Sequence, residues 1–177
     1  PGNTVSNLSS SRALKDVTEA YGQQYHAAAV GEVNVVAEMK RTHSVIGGEG
    51  NGGVIYPESH YGRDALVGVG LFLSHYVAQS KKMTELKSTY PPYFISKNKM
   101  TLSPDMDVDK ILEGLKERYA TEKVTDIDGV KIDFAQGWVH LRKSNTEPII
   151  RIYSEAKDEA AANQLAEEVI AAAKSTF

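Results

Sequence analysis

Trp138-Val139-His140-Leu141-Arg142-Lys143-Ser144-Asn145-Thr146-Glu147-Pro148-Ile149-Ile150-Arg151-Ile152-Tyr153-Ser154 is the stretch that decides the fold of the second half of the chain. Trp138 to Arg142 and Ile149 to Ser154 are both rich in β-branched and aromatic residues and read as strands. The polar run between them reads as the loop of an antiparallel pair. Upstream, Val130, Ile132 and Phe134 alternate with Lys131 and Asp133, which predicts a strand with one buried face. Asp128-Gly129 and Gln136-Gly137 supply turn dipeptides on either side of it. Tyr93 to Leu102 reads as a further strand. Asp107 to Ala120 reads as an amphipathic helix, and a closing helix spans about Asp158 to Lys174. There Ala162, Leu165, Ala166, Val169, Ile170 and Ala173 form one apolar stripe. Three or four antiparallel strands with helices on one face are expected.

The first half has a different rhythm. Thr4 to Leu8 reads as a strand, Ser9-Ser10-Ser11 as N-cap candidates of a helix through Tyr21, and Gly22 as its stop. Gln24 to Val30 is extended, Glu32 to Arg41 helical, and Ser44 to Ile46 a short buried strand. Val54-Ile55-Tyr56 is another strand. From Arg63 to Gln79, Leu66, Val69, Gly70, Leu73, Tyr76 and Val77 recur at helical spacing. Such alternation of strand and helix predicts a layered α/β unit. Lys81 to Pro92 reads as a boundary, because Pro91-Pro92 cannot continue a helix. The predicted architecture is therefore α/β: a layered mixed α/β domain over residues 1–90, then a smaller α+β domain over 91–177 with an antiparallel sheet and helices on one face.

Composition narrows the function classes. With 41% hydrophobic and 24% charged residues the chain is globular in type. No apolar stretch reaches the ~20 residues that span a bilayer, so no membrane partner is expected. A net charge of −3 argues against a nucleic-acid partner, and any anion site must be local. The absence of cysteine removes disulfides, thiol catalysis and Cys-ligated zinc, and fits a reducing, cytoplasmic setting. A start at Pro1 rather than Met is read as the mark of a piece of something longer.

Two loops carry candidate chemistry. In Arg142-Lys143-Ser144-Asn145-Thr146-Glu147-Pro148, Arg offers a planar fork of donors, Ser and Thr offer hydroxyls, and Asn tolerates left-handed turn geometry. Successive amides in such a turn form a concavity for an anion. Arg151 adds a second guanidinium. This loop reads equally as a phosphate cradle or as a solvated polar hairpin. Gly47-Gly48-Glu49-Gly50-Asn51-Gly52-Gly53 lacks the Gly-Lys-Ser/Thr of a P-loop. Its carboxylate and amide suit recognition of sugar hydroxyls, or else the loop is a flexible connection with Glu49 in solvent. Asp105-Met106-Asp107-Val108-Asp109 reads as helix capping rather than a metal cluster. His26, His43, His60, His75 and His140 show no ligand spacing, and Trp138 reads as core.

Together, Gly48-Glu49-Gly50-Asn51-Gly52-Gly53 and Arg142-Lys143-Ser144-Asn145-Thr146-Glu147-Pro148 resemble the α-D-phosphohexomutases, which include phosphoglucomutase, phosphomannomutase and phosphoglucosamine mutase. Val30-Gly31-Glu32 and Tyr61-Gly62-Arg63-Asp64 extend the likeness, which covers essentially the whole chain and corresponds to the third and fourth domains of a four-domain enzyme. The resemblance implies that Glu49 and Asn51 read sugar hydroxyls. It implies too that Arg142, Ser144, Asn145 and Thr146 grip the substrate phosphate, with Arg151 as helper. It also implies an isomerase that moves phosphate between the 1- and 6-positions of a hexose. That reaction runs through a phosphoserine on the first domain, a bisphosphorylated intermediate, and magnesium held by the second. No serine-nucleophile segment and no Asp-rich metal loop occurs in this sequence. The chain alone is therefore expected to bind hexose phosphate without turnover, its partners being the missing first and second domains. A freestanding, non-catalytic sugar-phosphate-binding module is the alternative. Many family members carry Ser and His where Asn51 and Gly53 stand. The form found here resembles the archaeal-type branch, whose members take glucosamine, mannose or glucose phosphates.

Overall fold

The computed structural model describes residues 1–103, 106–144 and 146–175. They form two compact units, Pro1–Pro92 and Tyr93–Phe177. In the first, the order is β1 (Thr4–Asn7), α1 (Ala13–Ala20), β2 (Tyr25–Ala28), α2 (Glu32–Thr42), β3 (Ile46–Gly48), β4 (Val54–Tyr56), β5 (His60–Arg63), α3 (Ala65–Gln79) and α4 (Met83–Lys87). The strands lie in the order β2-β1-β3-β4-β5. β1 pairs in parallel with both β2 and β3, while β4 and β5 add antiparallel. The chain thus steps from β1 to one neighbour and then crosses back to the other. Crossovers between parallel strands are right-handed, so this reversal sends α1 and α2 to opposite faces. It also opens a crevice beyond the carboxyl ends of β1 and β3, the usual ligand position in such sheets. Val5, Ala28, Val35, Met39 and Ile55 form the core beneath it.

Several local expectations shift. β3 begins at Ile46, not Ser44, and absorbs the first two glycines of the loop. Gly47 sits where a Cβ would lie 2.3 Å from Sδ of Met39, so the helix α2 packs directly on strand backbone. α1 starts at Ala13 with Arg12 at its N-cap, and that cap makes no side-chain hydrogen bond. Ser11 Oγ instead accepts from the Ala13 amide at 3.1 Å. β5 carries no alternation in its sequence His-Tyr-Gly-Arg and forms because Arg63 and His60 pair with Ile55 and Tyr56. On α3, the helical spacing of apolar residues is present, yet none of them is buried; Leu66 is 84% exposed and Val77 73%.

The second unit runs β6 (Phe94–Thr101), α5 (Val108–Arg118), β7 (Lys123–Thr125), β8 (Val130–Asp133), β9 (Gly137–Lys143), β10 (Ile149–Ala156) and α6 (Glu159–Lys174). Its sheet, in the order β6-β10-β9-β8-β7, is antiparallel throughout and has five strands among the described residues. The additional strand is β7, too short to show a pattern. Val139, Leu141, Ile150 and Ile152 point to the face covered by α5 and α6, where they meet Ile111, Leu115, Leu165 and Val169. α6 buries Ala162, Leu165, Ala166, Val169, Ala172 and Ala173, with Asp158 capping it through the Ala161 amide at 2.8 Å. Asp107 caps α5, accepting from the Asp109 and Lys110 amides, and Asp105 lies outside the described residues.

The opposite face of this sheet is also occupied. Lys131, expected to be the solvent-facing partner of an alternating strand, is buried. Its ammonium stands 4.9 Å from the centroid of the Trp138 ring and 3.5 Å from Asp133. Trp138 donates from Nε1 to Glu155 at 2.8 Å, both residues being fully buried. Phe134 falls past the end of β8 and packs edge-on against Tyr119.

His140, also buried on this face, donates from Nε2 to the Asp128 carbonyl at 2.7 Å. Burial holds its pKa below the ordinary value of about 6.5, outweighing the opposing pull of that hydrogen bond. The sign follows from the proton count. The folded state keeps His140 neutral, whereas the unfolded chain protonates it as pH falls through about 6.5. Its stabilising contribution is therefore complete above that pH and declines below it. Urea unfolding at neutral pH and again near pH 5.5 is expected to show a stability loss in the native sequence that His140→Gln reduces.

Candidate functional site

β3 and β4 form a hairpin whose loop is the glycine stretch. The Glu49 amide donates to the Gly53 carbonyl at 3.0 Å, the Gly52 amide to the Glu49 carbonyl at 3.0 Å, and the Gly53 amide to Oδ1 of Asn51 at 3.0 Å. Gly52 adopts φ +94°, open to glycine at little cost. The loop is thus an ordered turn. Glu49 follows directly on the carboxyl end of β3, and its side chain is only 5% exposed. Asn7, the last residue of β1, donates from Nδ2 to Oε1 of Glu49 at 3.2 Å. Arg63 Nη1 stands 3.4 Å from Glu49 Oε2. Glu49 therefore sits at the carboxyl ends of β1 and β3, held by Asn7 and Arg63, and is not a solvent-facing carboxylate.

Arg63 reaches a second acid. Its Nε donates to Oε2 of Glu32 at 2.8 Å, and its own amide donates to Oε1 at 2.9 Å. The amide and then the guanidinium hold the Glu32 carboxyl below its usual range, against the opposing effect of burial. Asp64 accepts from the Leu66 and Val67 amides at the start of α3 and from His60 at 3.0 Å. The Val67 amide and the His60 ring, in that order, lower its pKa. Asn51, Arg63, Glu32 and Asp64, with residues 52–54 and Ala65, line an open cavity of about 500 Å³. Sugar hydroxyls need donors and acceptors in alternation, and this wall offers both.

In the second unit the cationic loop joins β9 to β10. Arg142 and Arg151 lie directly opposite each other across those strands. Like charges so placed repel. Each is drawn to a carboxylate: Arg142 Nε stands 3.8 Å from Asp128 and Arg151 Nη2 stands 3.4 Å from Glu147. The buried Ser144 donates its amide to the Ile149 carbonyl at 3.0 Å. Its Oγ lies 3.4 Å from the Thr146 amide and 3.5 Å from the Thr146 hydroxyl. Asn145 lies outside the described residues. Lys97 and Lys99 on β6 extend the positive strip, Lys99 being the cross-strand neighbour of Arg151. With Glu147, Ile149, Arg151 and Tyr153 they line a shallow cavity of about 350 Å³. Among the described residues no group of three or more His, Asp or Glu is arranged to hold a metal ion.

Asn7, Glu32, Arg63, Asp64, Lys97 and Lys99 were not foreseen as site residues. Asn7 and Glu32 need the strand order to be known. The lysines had a signal, alternate positions in a strand that pairs with the Arg151 strand.

The chain is thus an α/β unit whose strand order reverses at β1, followed by an antiparallel sheet with helices on one face. The phosphoglucomutase/phosphomannomutase model for the α/β/α domain III matches residues 1–93, and that for the C-terminal domain matches residues 97–172. The chain belongs to the phosphoglucomutase/phosphomannomutase family, of which it carries domains III and IV. A phosphoglucosamine/phosphogalactosamine mutase of Sulfurisphaera tokodaii is 36% identical over 167 residues, covering 93% of this chain and 37% of that protein. The chain thus spans little more than a third of that relative. Among solved structures, a phosphoglucomutase/phosphomannomutase family protein of Burkholderia thailandensis superposes with a TM-score of 0.79. It covers 99% of this chain and 38% of its own at 22% identity, a likeness of fold. The Aspergillus fumigatus N-acetylphosphoglucosamine mutase, solved with GlcNAc-6P and magnesium, gives 0.62 at 15% identity, over 99% of this chain and 39% of its own.

Proposed function

We propose that this chain is the substrate-holding part of a phosphohexomutase that interconverts hexose 1-phosphates and 6-phosphates of glucosamine, mannose or glucose. Glu49 and Asn51 receive the sugar hydroxyls in the first unit, and Arg142, Ser144, Asn145, Thr146 and Arg151 hold the phosphate in the second. The observation that carries this reading is the placement of Glu49. A carboxylate held by Asn7 and Arg63 at a strand-order reversal is oriented before any ligand arrives, which lowers the ordering cost of binding. The opposed Arg142 and Arg151 support the phosphate assignment, because a dianion between like charges relieves their repulsion.

The phosphoserine, the bisphosphorylated intermediate and magnesium belong, in this reading, to additional domains of a longer chain. The residues described here offer no metal site, so no magnesium step is assigned to them. Phosphoryl transfer needs positioning and charge stabilisation together. Without the serine and the metal this chain is expected to show no mutase turnover. The exposed Leu66, Val69, Leu73 and Val77 of α3 offer an apolar surface for such domains to cover. No helix among the described residues is long and apolar enough to cross a membrane, and a cytoplasmic setting is part of the proposal.

Calorimetric titration with glucosamine 6-phosphate tests the reading. Saturable binding without isomerisation to the 1-phosphate is expected; a flat titration at millimolar ligand overturns it. In the same titration Glu147→Gln is expected to tighten binding about two- to fivefold. It frees Arg151 from a surface ion pair worth about 0.4–1 kcal/mol.

A further inference from the structure

Arg63 is the one described cation that reaches both Glu32, at the start of α2, and Glu49, in the glycine loop. We propose that Arg63 is a positioning residue for the sugar site, a clamp that fixes the direction of the Glu49 carboxylate; this rests on the reading of Glu49 as a hydroxyl acceptor.

Glu32 anchors the clamp. Its two oxygens accept from the Arg63 amide and from Nε, so backbone and side chain of Arg63 are tied to one carboxylate. The guanidinium is planar, and fixing Nε fixes the direction in which Nη1 points. Nη1 points to Glu49 Oε2. Oε1 of the same carboxylate is taken by Asn7 from the end of β1. Glu49 is thereby held from two sides by groups on different strands, and its carboxylate plane is set. A carboxylate carries about four acceptor positions. The Asn7 and Arg63 contacts leave the others oriented rather than swinging.

Gly53 is the second part of the device. A Cβ there would stand 2.6 Å from Cδ and 3.1 Å from Cγ of Arg63. The arginine stem crosses the loop where a side chain at position 53 would lie. The glycine therefore serves space, since its φ lies outside the left-handed region. Any larger residue there competes with Arg63 for one place above the loop.

The test is calorimetric titration of the chain with glucosamine 6-phosphate and, separately, inorganic phosphate. Arg63→Met is expected to weaken the sugar phosphate about tenfold, the loss of one charge-assisted contact, while inorganic phosphate changes less than about twofold. Arg63→Lys keeps the charge without the fork and is expected to recover only part of the loss. Gly53→Ala keeps the guanidinium and displaces its stem, so it is expected to weaken the sugar phosphate in the same direction. It serves equally should Arg63→Met fold poorly. In Glu49→Gln, adding Arg63→Met is expected to cost little more, because the clamp then has nothing to orient. Sugar-phosphate affinity unchanged in Arg63→Met and in Gly53→Ala, or losses that add fully in the double variant, overturns the clamp while leaving the binding reading intact. A native chain that binds glucosamine 6-phosphate no more tightly than inorganic phosphate overturns both.

Discussion

Trp138→Ala is expected to lower the unfolding free energy of the second unit by about 3–5 kcal/mol, the range for truncating a buried aromatic. Trp138 is fully buried, and its indole N–H donates to a carboxyl that is fully buried as well. Truncation leaves a cavity, removes a donor from Glu155, and takes away the ring beneath the Lys131 ammonium. Domains are stable by about 5–15 kcal/mol in all, so the variant stands near the edge of folding. Urea unfolding followed by far-ultraviolet circular dichroism measures the change. Trp138→Phe fills most of the volume but lacks the N–H; it is expected to lose about 1–3 kcal/mol, the cost of one unsatisfied buried group. Equal losses in the two variants would assign everything to the hydrogen bond and contradict this account of the packing.

The second large effect concerns Arg142. At a hundred times its dissociation constant, a ligand stabilises the folded chain by about 2.7 kcal/mol. Arg142→Ala is expected to remove nearly all of that gain with glucosamine 6-phosphate or glucose 6-phosphate, since Arg is the fork donor of the proposed phosphate seat. Its effect without ligand is expected to be small. Arg142 is only partly buried, its carboxylate partner is 3.8 Å away, and its removal also relieves repulsion from Arg151. Thermal unfolding with and without sugar phosphate separates the two. An unchanged ligand-induced shift in Arg142→Ala would remove this residue from the phosphate site.

Much of the fold was legible because its signals are local. The apolar stripe of α6, the alternation of the strands around Arg142, and the Pro91-Pro92 stop each depend on neighbours in sequence. The strand order of the first sheet had no such signal. β5 has no pattern of its own and pairs with β4, β7 is three residues long, and β3 runs from Ile46 into the first two glycines of the loop. Lys131 misled for a related reason. An alternating strand predicts one wet face, yet an aromatic ring and Asp133 let the lysine be buried with its charge accommodated. At the site, residue types pointed to Glu49 and Asn51; Glu32 and Arg63 stood in stretches of the family likeness without a role, and nothing linked Asn7 to Glu49. Asn7 reaches Glu49 across 42 positions and Glu32 reaches Arg63 across 31, and these contacts exist only once β1, β3, β4 and β5 have assembled into one sheet.

In the proposed function a hexose phosphate engages the loop at 49–53 and the loop at 142–146. Backbone amide chemical shifts recorded during titration with glucosamine 6-phosphate test it most directly. Saturable shifts are expected at Glu49, Gly52 and Gly53 and at Ser144 and Thr146, with inorganic phosphate reproducing only the second group. Shifts confined to other parts of the chain, or none in either loop at saturating ligand, would contradict it.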